Sequence, residues 1–187
     1  MKKSLLFSLF LICACAPMNP KRFTHTTYTN WNWTDAHLKR VQFYISHDIV
    51  LYRFLGENEV LKLKNGKVEM YKGRRVEKVY IYRYTKGGFV GKKNGEEEHF
   101  GISFEDSDEL FLTFGPHPRR GGEYNLLAKE WNNGVPTITY GGVEFEVILP
   151  IDPYTGLTVI PWLIIDWKGV EENATNFRVA KGREVKN

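Results

Sequence analysis

Short runs of alternating hydrophobic residues, cut by glycine-containing turns, constrain this chain more than any other feature. Thr137 to Tyr140 and Val143 to Val147 flank Gly141-Gly142. A two-residue loop of that type fixes the register of a hairpin. Ile138 then faces Phe145 and Tyr140 faces Val143, while Thr137 and Thr139 face Glu146 and Glu144. Val60 to Lys64 and Lys67 to Tyr71 repeat the pattern around Asn65-Gly66, with Leu63 opposite Val68 and Leu61 opposite Met70. Phe100, Ile102 and Phe104 share one face of a strand, and Leu110, Leu112 and Phe114 share one face of the next. A five-residue loop, Glu105 to Glu109, sets those triplets opposite each other, whereas a four-residue loop would set Phe104 against Glu109.

Other segments read the same way. Val41 to Ile45 alternates, Ser46-His47-Asp48 interrupts, and Ile49 to Phe54 resumes. Val76 to Tyr84 puts Val79 and Ile81 on one face and Tyr80, Tyr82 and Tyr84 on the other. Gly87-Gly88 and Asn94-Gly95 read as turns around Phe89-Val90. Val159 to Ile165 is apolar throughout, as a strand buried on both faces would be. Thr34 caps a helix of barely two turns over Asp35 to Arg40. The expected fold is all-β: a small antiparallel barrel or sandwich with at most one or two short helices. The centre, Val76 to Phe114, loosely resembles an SH3-like barrel in its pattern of strands and a tight hairpin.

The first residues carry a different signal. Lys2 and Lys3 precede a short apolar run, Ser4 to Ala14, which covers only about half of a ~30 Å hydrocarbon core and does not suit a permanent span. Ile12-Cys13-Ala14-Cys15 follows. This order of charge, apolar run, small residue and cysteine resembles the lipobox of bacterial lipoproteins. The resemblance implies a signal peptide over 1–14, cleaved ahead of a diacylated Cys15, and a membrane attachment through that lipid. Cys13 is the other choice, with bulky Ile12 before it, and an ordinary secretory signal is the alternative. Ala16-Pro17 lacks the aspartate that in such proteins goes with inner-membrane retention, so the resemblance implies an outer-membrane anchor facing the periplasm. The mature sequence also looks like uncharacterised bacterial envelope lipoproteins.

Residues 15–34, with Pro17, Pro20 and the Thr24-His25-Thr26-Thr27 run, read as a flexible tether. Residues 35–168 read as the β-rich domain and 169–187 as a polar tail. About 170 residues remain after the signal, enough for one domain with a real core. With Cys13 removed and Cys15 acylated, the domain has no thiol for disulfides or catalysis. Of the 26 basic residues, Lys2 and Lys3 leave with the signal; 24 against 22 acidic gives no electrostatic footprint for nucleic acid.

Several stretches carry residue types that perform chemistry. Ser46-His47-Asp48 has the members of a triad, but neighbours in a strand point to opposite faces, and a turn explains them better. His25, His37, His47, His99 and His117 have no metal-ligand spacing, and Asp106-Ser107-Asp108-Glu109 lacks the glycine and distal Glu of a calcium loop. No catalytic residue, metal or cofactor is assigned. His117, Arg119 and Arg120, set among Gly and Pro, form a candidate loop for an anionic partner. Tyr28, Trp31 and Trp33 form a candidate aromatic surface for sugars, or else dock the tether onto the domain. The expected function is non-catalytic binding or structural assembly in the cell envelope, with an envelope protein partner. The alternatives are a glycan-binding module and, further off, a small envelope hydrolase.

Overall fold

A computed structural model describes residues 19–56, 68–71, 73–93, 98–168 and 170. The chain opens with strand β1 (Pro20–Arg22) and two short helices, α1 (His25–Asn30) and α2 (Asp35–Leu38). Strands β2 (Phe43–Ile45), β3 (Ile49–Phe54), β4 (Val68–Tyr71), β5 (Arg74–Ile81), β6 (Lys86–Lys92) and β7 (Phe100–Ser103) follow. The rest are β8 (Phe111–Pro116), β9 (Tyr124–Leu126), β10 (Glu130–Asn132), β11 (Val135–Tyr140), β12 (Val143–Ile148) and β13 (Leu163–Asp166). The fold is all-β. A seven-stranded sheet runs β1-β13-β2-β6-β7-β8-β9 and a six-stranded sheet runs β10-β11-β12-β3-β5-β4, with every pairing antiparallel.

The seven-stranded sheet curls until its two ends meet. Thr24 bridges Glu123, Asn125 bridges Trp162, and Tyr124 N–H donates to the Phe23 carbonyl at 3.1 Å. Isolated bridges, rather than a continuous ladder, join the ends, so the sheet is curled but not a closed barrel. Inside the curl lie Phe23, Phe43, Phe100 and Tyr124, all fully buried, with Phe23 4.7 Å from Tyr124 and 5.3 Å from Phe43 between ring centroids. Residues of the other sheet, among them Ile49, Leu51, Ile138 and Phe145, belong to the same core.

Two of the three hairpin registers read from sequence fall on described residues, and both hold. Ile138 pairs with Phe145 and Tyr140 with Val143, while Phe100 pairs with Phe114 and Ile102 with Leu112. Thr34 N–H donates to His37 Nδ1 at 3.1 Å at the start of α2. The segment Val76 to Phe114 is divided between the sheets, β5 in one and β6 to β8 in the other. The first arm of the Asn65-Gly66 hairpin, that turn, and the Asn94-Gly95 turn lie outside the described residues. So do the apolar start, Cys15 and the polar tail, apart from Val170, which is buried in the core. None of the described helices is long and apolar enough to cross a membrane.

Three expectations need correction. Residues 20–34 are not tether: β1 pairs with β13, and Phe23 sits at the centre of the core. A buried phenylalanine contributes roughly 1.5–3 kcal/mol of transfer free energy, enough to hold a three-residue strand in place. Gly87-Gly88 is not a turn but the interior of β6, where Gly87 pairs with Phe43. A Cβ at Gly87 would lie 2.7 Å from Ile102 Cγ2 and 2.7 Å from Phe104 Cε1, so the absence of a side chain lets the sheet pack there. The apolar run from Val159 becomes ladder only from Leu163, and Val159 and Trp162 ahead of it line a cleft.

Candidate functional site

The consecutive strands β2 and β3 lie in different sheets, so Ser46, His47 and Asp48 form the corner between them. The β5–β6 connection turns beside it. Tyr84, at φ 64°, donates its N–H to the Ile45 carbonyl at 2.8 Å, and Arg83 N–H donates to Asp48 Oδ1 at 2.6 Å. Ser46 is buried. Its backbone N–H donates to the Trp162 carbonyl at 3.0 Å, and its Oγ accepts the Trp162 N–H at 2.8 Å. His47 Nδ1 lies 2.9 Å from the same Oγ. The serine hydroxyl thus ties the corner to the segment ahead of β13 and to the His47 imidazole.

Beside this corner opens a cleft of about 430 Å³. Arg22 enters it from the end of β1, His47 from the corner, and Arg120 and Glu123 from the β8–β9 loop. Trp162 lines it just before β13. The far wall is an arm between β12 and β13, closed by the Ile151–Thr158 bridge and turned at Asp152, whose Oδ1 accepts the N–H groups of Tyr154 and Thr155 at 2.8 and 2.9 Å. Those backbone donors favour the charged form and hold the Asp152 carboxyl below its ordinary pKa.

Arg22 is held on two sides. Its Nη1 donates to Glu123 Oε1, and its guanidinium lies 4.5 Å over the Trp162 ring. The Arg22 side chain stays 57% exposed and lines the cleft. Glu123 is buried, and its Oε2 has no hydrogen-bond partner among the described residues. Burial, with Arg83 second, lowers the pKa of His47, and Asp48 opposes the shift only in part, so the imidazole is neutral at neutral pH. The cleft therefore offers two guanidinium groups, one pre-positioned, beside two carboxylates that are each bonded through one oxygen, Glu123 Oε1 to Arg22 and Asp152 Oδ1 to two backbone N–H groups.

Of the residues singled out by sequence, Arg120 reaches the cleft, and His117 and Arg119 do not line it. His117 Nδ1 instead accepts the Arg119 N–H at 3.2 Å, and the His117 carbonyl accepts the N–H groups of Arg120 and Gly122 at 3.2 Å, which makes the loop a tight turn. The three aromatics do not form a platform. Trp33 is buried against Phe23, Tyr28 packs on the core, and Trp31 alone is exposed, with its ring 5.2 Å from that of Trp167. No group of three or more metal-ligating side chains occurs among the described residues.

Sequence reasoning missed Arg22, Glu123, Asp152 and Trp162. They come from positions scattered across the chain, so no spacing marks them. The arm alone had a signal: Asp152-Pro153-Tyr154-Thr155-Gly156 is turn chemistry. No family model, no curated protein and no solved structure matches this chain.

Proposed function

We propose that the protein is a lipid-anchored protein of the cell envelope, attached through Cys15 to the outer membrane on its periplasmic side, with a non-catalytic binding role. The cleft is its contact site, and an acidic segment of an envelope protein partner is what it takes. The observation that carries the reading is Arg22, clamped between Glu123 and Trp162 and open beside the exposed Arg120. A guanidinium already fixed in place loses less side-chain freedom when it meets a carboxylate, which favours binding. The glycan reading loses its platform with the burial of Trp33.

Affinity purification of the lipidated protein from gently solubilised envelope tests the proposal, with Cys15→Ala and Arg120→Glu run beside it. A stoichiometric protein partner is expected with the native chain and lost with Arg120→Glu. The same partner recovered with Arg120→Glu, or none with the native chain, would overturn it.

A further inference from the structure

Asn19, the first described residue, lies at the opposite end of the β1–β13 ladder from the cleft. Asn19 N–H donates to Asp166 Oδ1 at 3.1 Å, and the Asn19 carbonyl accepts the Trp167 N–H at 3.1 Å, while Arg22 and Trp162 sit at the other end. Three residues lie between Asn19 and Cys15, so the two are four Cα steps apart, a reach of at most about 14 Å even when fully extended. A lipid on Cys15 therefore holds the Asn19 end of the domain within that distance of the headgroup layer.

That end has the composition such a contact needs. The Trp31 and Trp167 rings meet edge to face at 5.2 Å, and Trp31 is 37% exposed. Lys21 Nζ lies 4.6 Å over the Trp167 ring, and Lys168 is exposed beside it. Because Phe43 pairs with Ile165, the turn ahead of β2, with exposed Lys39 and Arg40, leaves the sheet at this same end. Of the carboxylates near this end, Asp166 accepts the N–H groups of Asn19 and Lys168, and Asp35, at the start of α2, lies 3.6 Å from Lys92 Nζ.

We propose that Trp31 and Trp167, with Lys21, Lys39, Arg40 and Lys168 at the same end of the domain, seat the domain on the headgroup layer of the bilayer that holds the Cys15 lipid. This rests on the lipoprotein reading above. Indole rings, apolar in body with one N–H donor, favour the membrane–water interface, and the cations meet anionic lipid there. The seat fixes the orientation of the domain, with the cleft turned away from the bilayer toward partners.

The test uses the acylated protein in vesicles of phosphatidylethanolamine and phosphatidylglycerol with brominated acyl chains, read by quenching of tryptophan fluorescence. Mass spectrometry first establishes the acyl chains on Cys15. Native protein is expected to be quenched, and Trp31→Phe/Trp167→Phe to lose most of that quenching while the emission of Trp131 and Trp162 persists. Lys39→Glu/Arg40→Glu, on an exposed turn, is expected to weaken quenching without touching the core. Acylated native protein that is not quenched, or the same fractional quenching in both variants as in the native chain, would overturn the seat and leave the lipoprotein reading standing. A Cys15 without acyl chains would overturn the lipoprotein reading and the seat with it.

Discussion

Arg22 takes part in three contacts at once: an ion pair with Glu123, a stack on Trp162 and the wall of the cleft. Nothing in Pro-Lys-Arg-Phe announces any of them, because each depends on a residue more than a hundred positions away. His47 is the other residue whose chemistry comes from its surroundings. Its folded-state pKa lies below the ordinary value of 6.5, first through burial and then through Arg83. As pH falls, the unfolded chain takes up the proton before the folded one does. This group's share of stability is therefore complete above about pH 6.5 and declines as pH drops below it, until the folded imidazole is protonated too. The melting temperature of the native protein is expected to fall more between pH 7.5 and 5.5 than that of His47→Asn, in which nothing titrates at this position. Equal falls in the two proteins would show that His47 does not carry a depressed pKa.

Two Gly-Gly pairs mark how far elements are legible in the sequence. At Gly141-Gly142 both residues have positive φ, 57° and 75°, and the pair is the hairpin turn its flanking alternation demands. Gly87-Gly88 has the same letters and lies inside β6, paired with Phe43 and Ser103. The difference lies in what stands above the strand: Ile102 and Phe104 occupy the space a Gly87 side chain would fill, and no local pattern records that. Registers were readable because turn length and alternation settle them between neighbours. The partition of strands between two sheets, and the three-residue strand β1, were not, since both are decided by distant partners. Gly87→Ala is expected to overpack the core by about 1–3 kcal/mol. For a domain of this size that lowers the melting temperature by roughly 2–4 °C per kcal/mol. Gly88→Ala, where a Cβ meets nothing within 4 Å, is expected to melt at or slightly above the native temperature. Equal effects of the two substitutions would contradict the packing described for Gly87.

At the scale of the whole molecule, the segment that sequence assigns to a tether is the seam that closes the fold. Phe23 N–H donates to the Leu163 carbonyl at 2.9 Å, and the Phe23 carbonyl accepts from Tyr124 at 3.1 Å, so one residue joins both ends of the curled sheet. Its ring touches Trp33, Phe43, Phe100 and Tyr124, which themselves come from α1–α2, β2, β7 and β9. Withdrawing this strand would open the sheet along its length and expose the aromatic cluster to water, at a cost no smaller than the ~3–5 kcal/mol typical of deleting a buried phenylalanine. Native-state hydrogen exchange separates seam from tether directly. A seam opens only when the core does, so the Phe23 amide is expected to exchange as slowly as that of Tyr124. A tether has no such protection, and exchange of Phe23 at the rate of an unstructured peptide would remove β1 from the fold. Slow exchange at Phe23 would also mean that movement at the Asn19 end cannot be absorbed by a loose linker, because the strand that begins at Pro20 ends at Arg22 in the wall of the cleft.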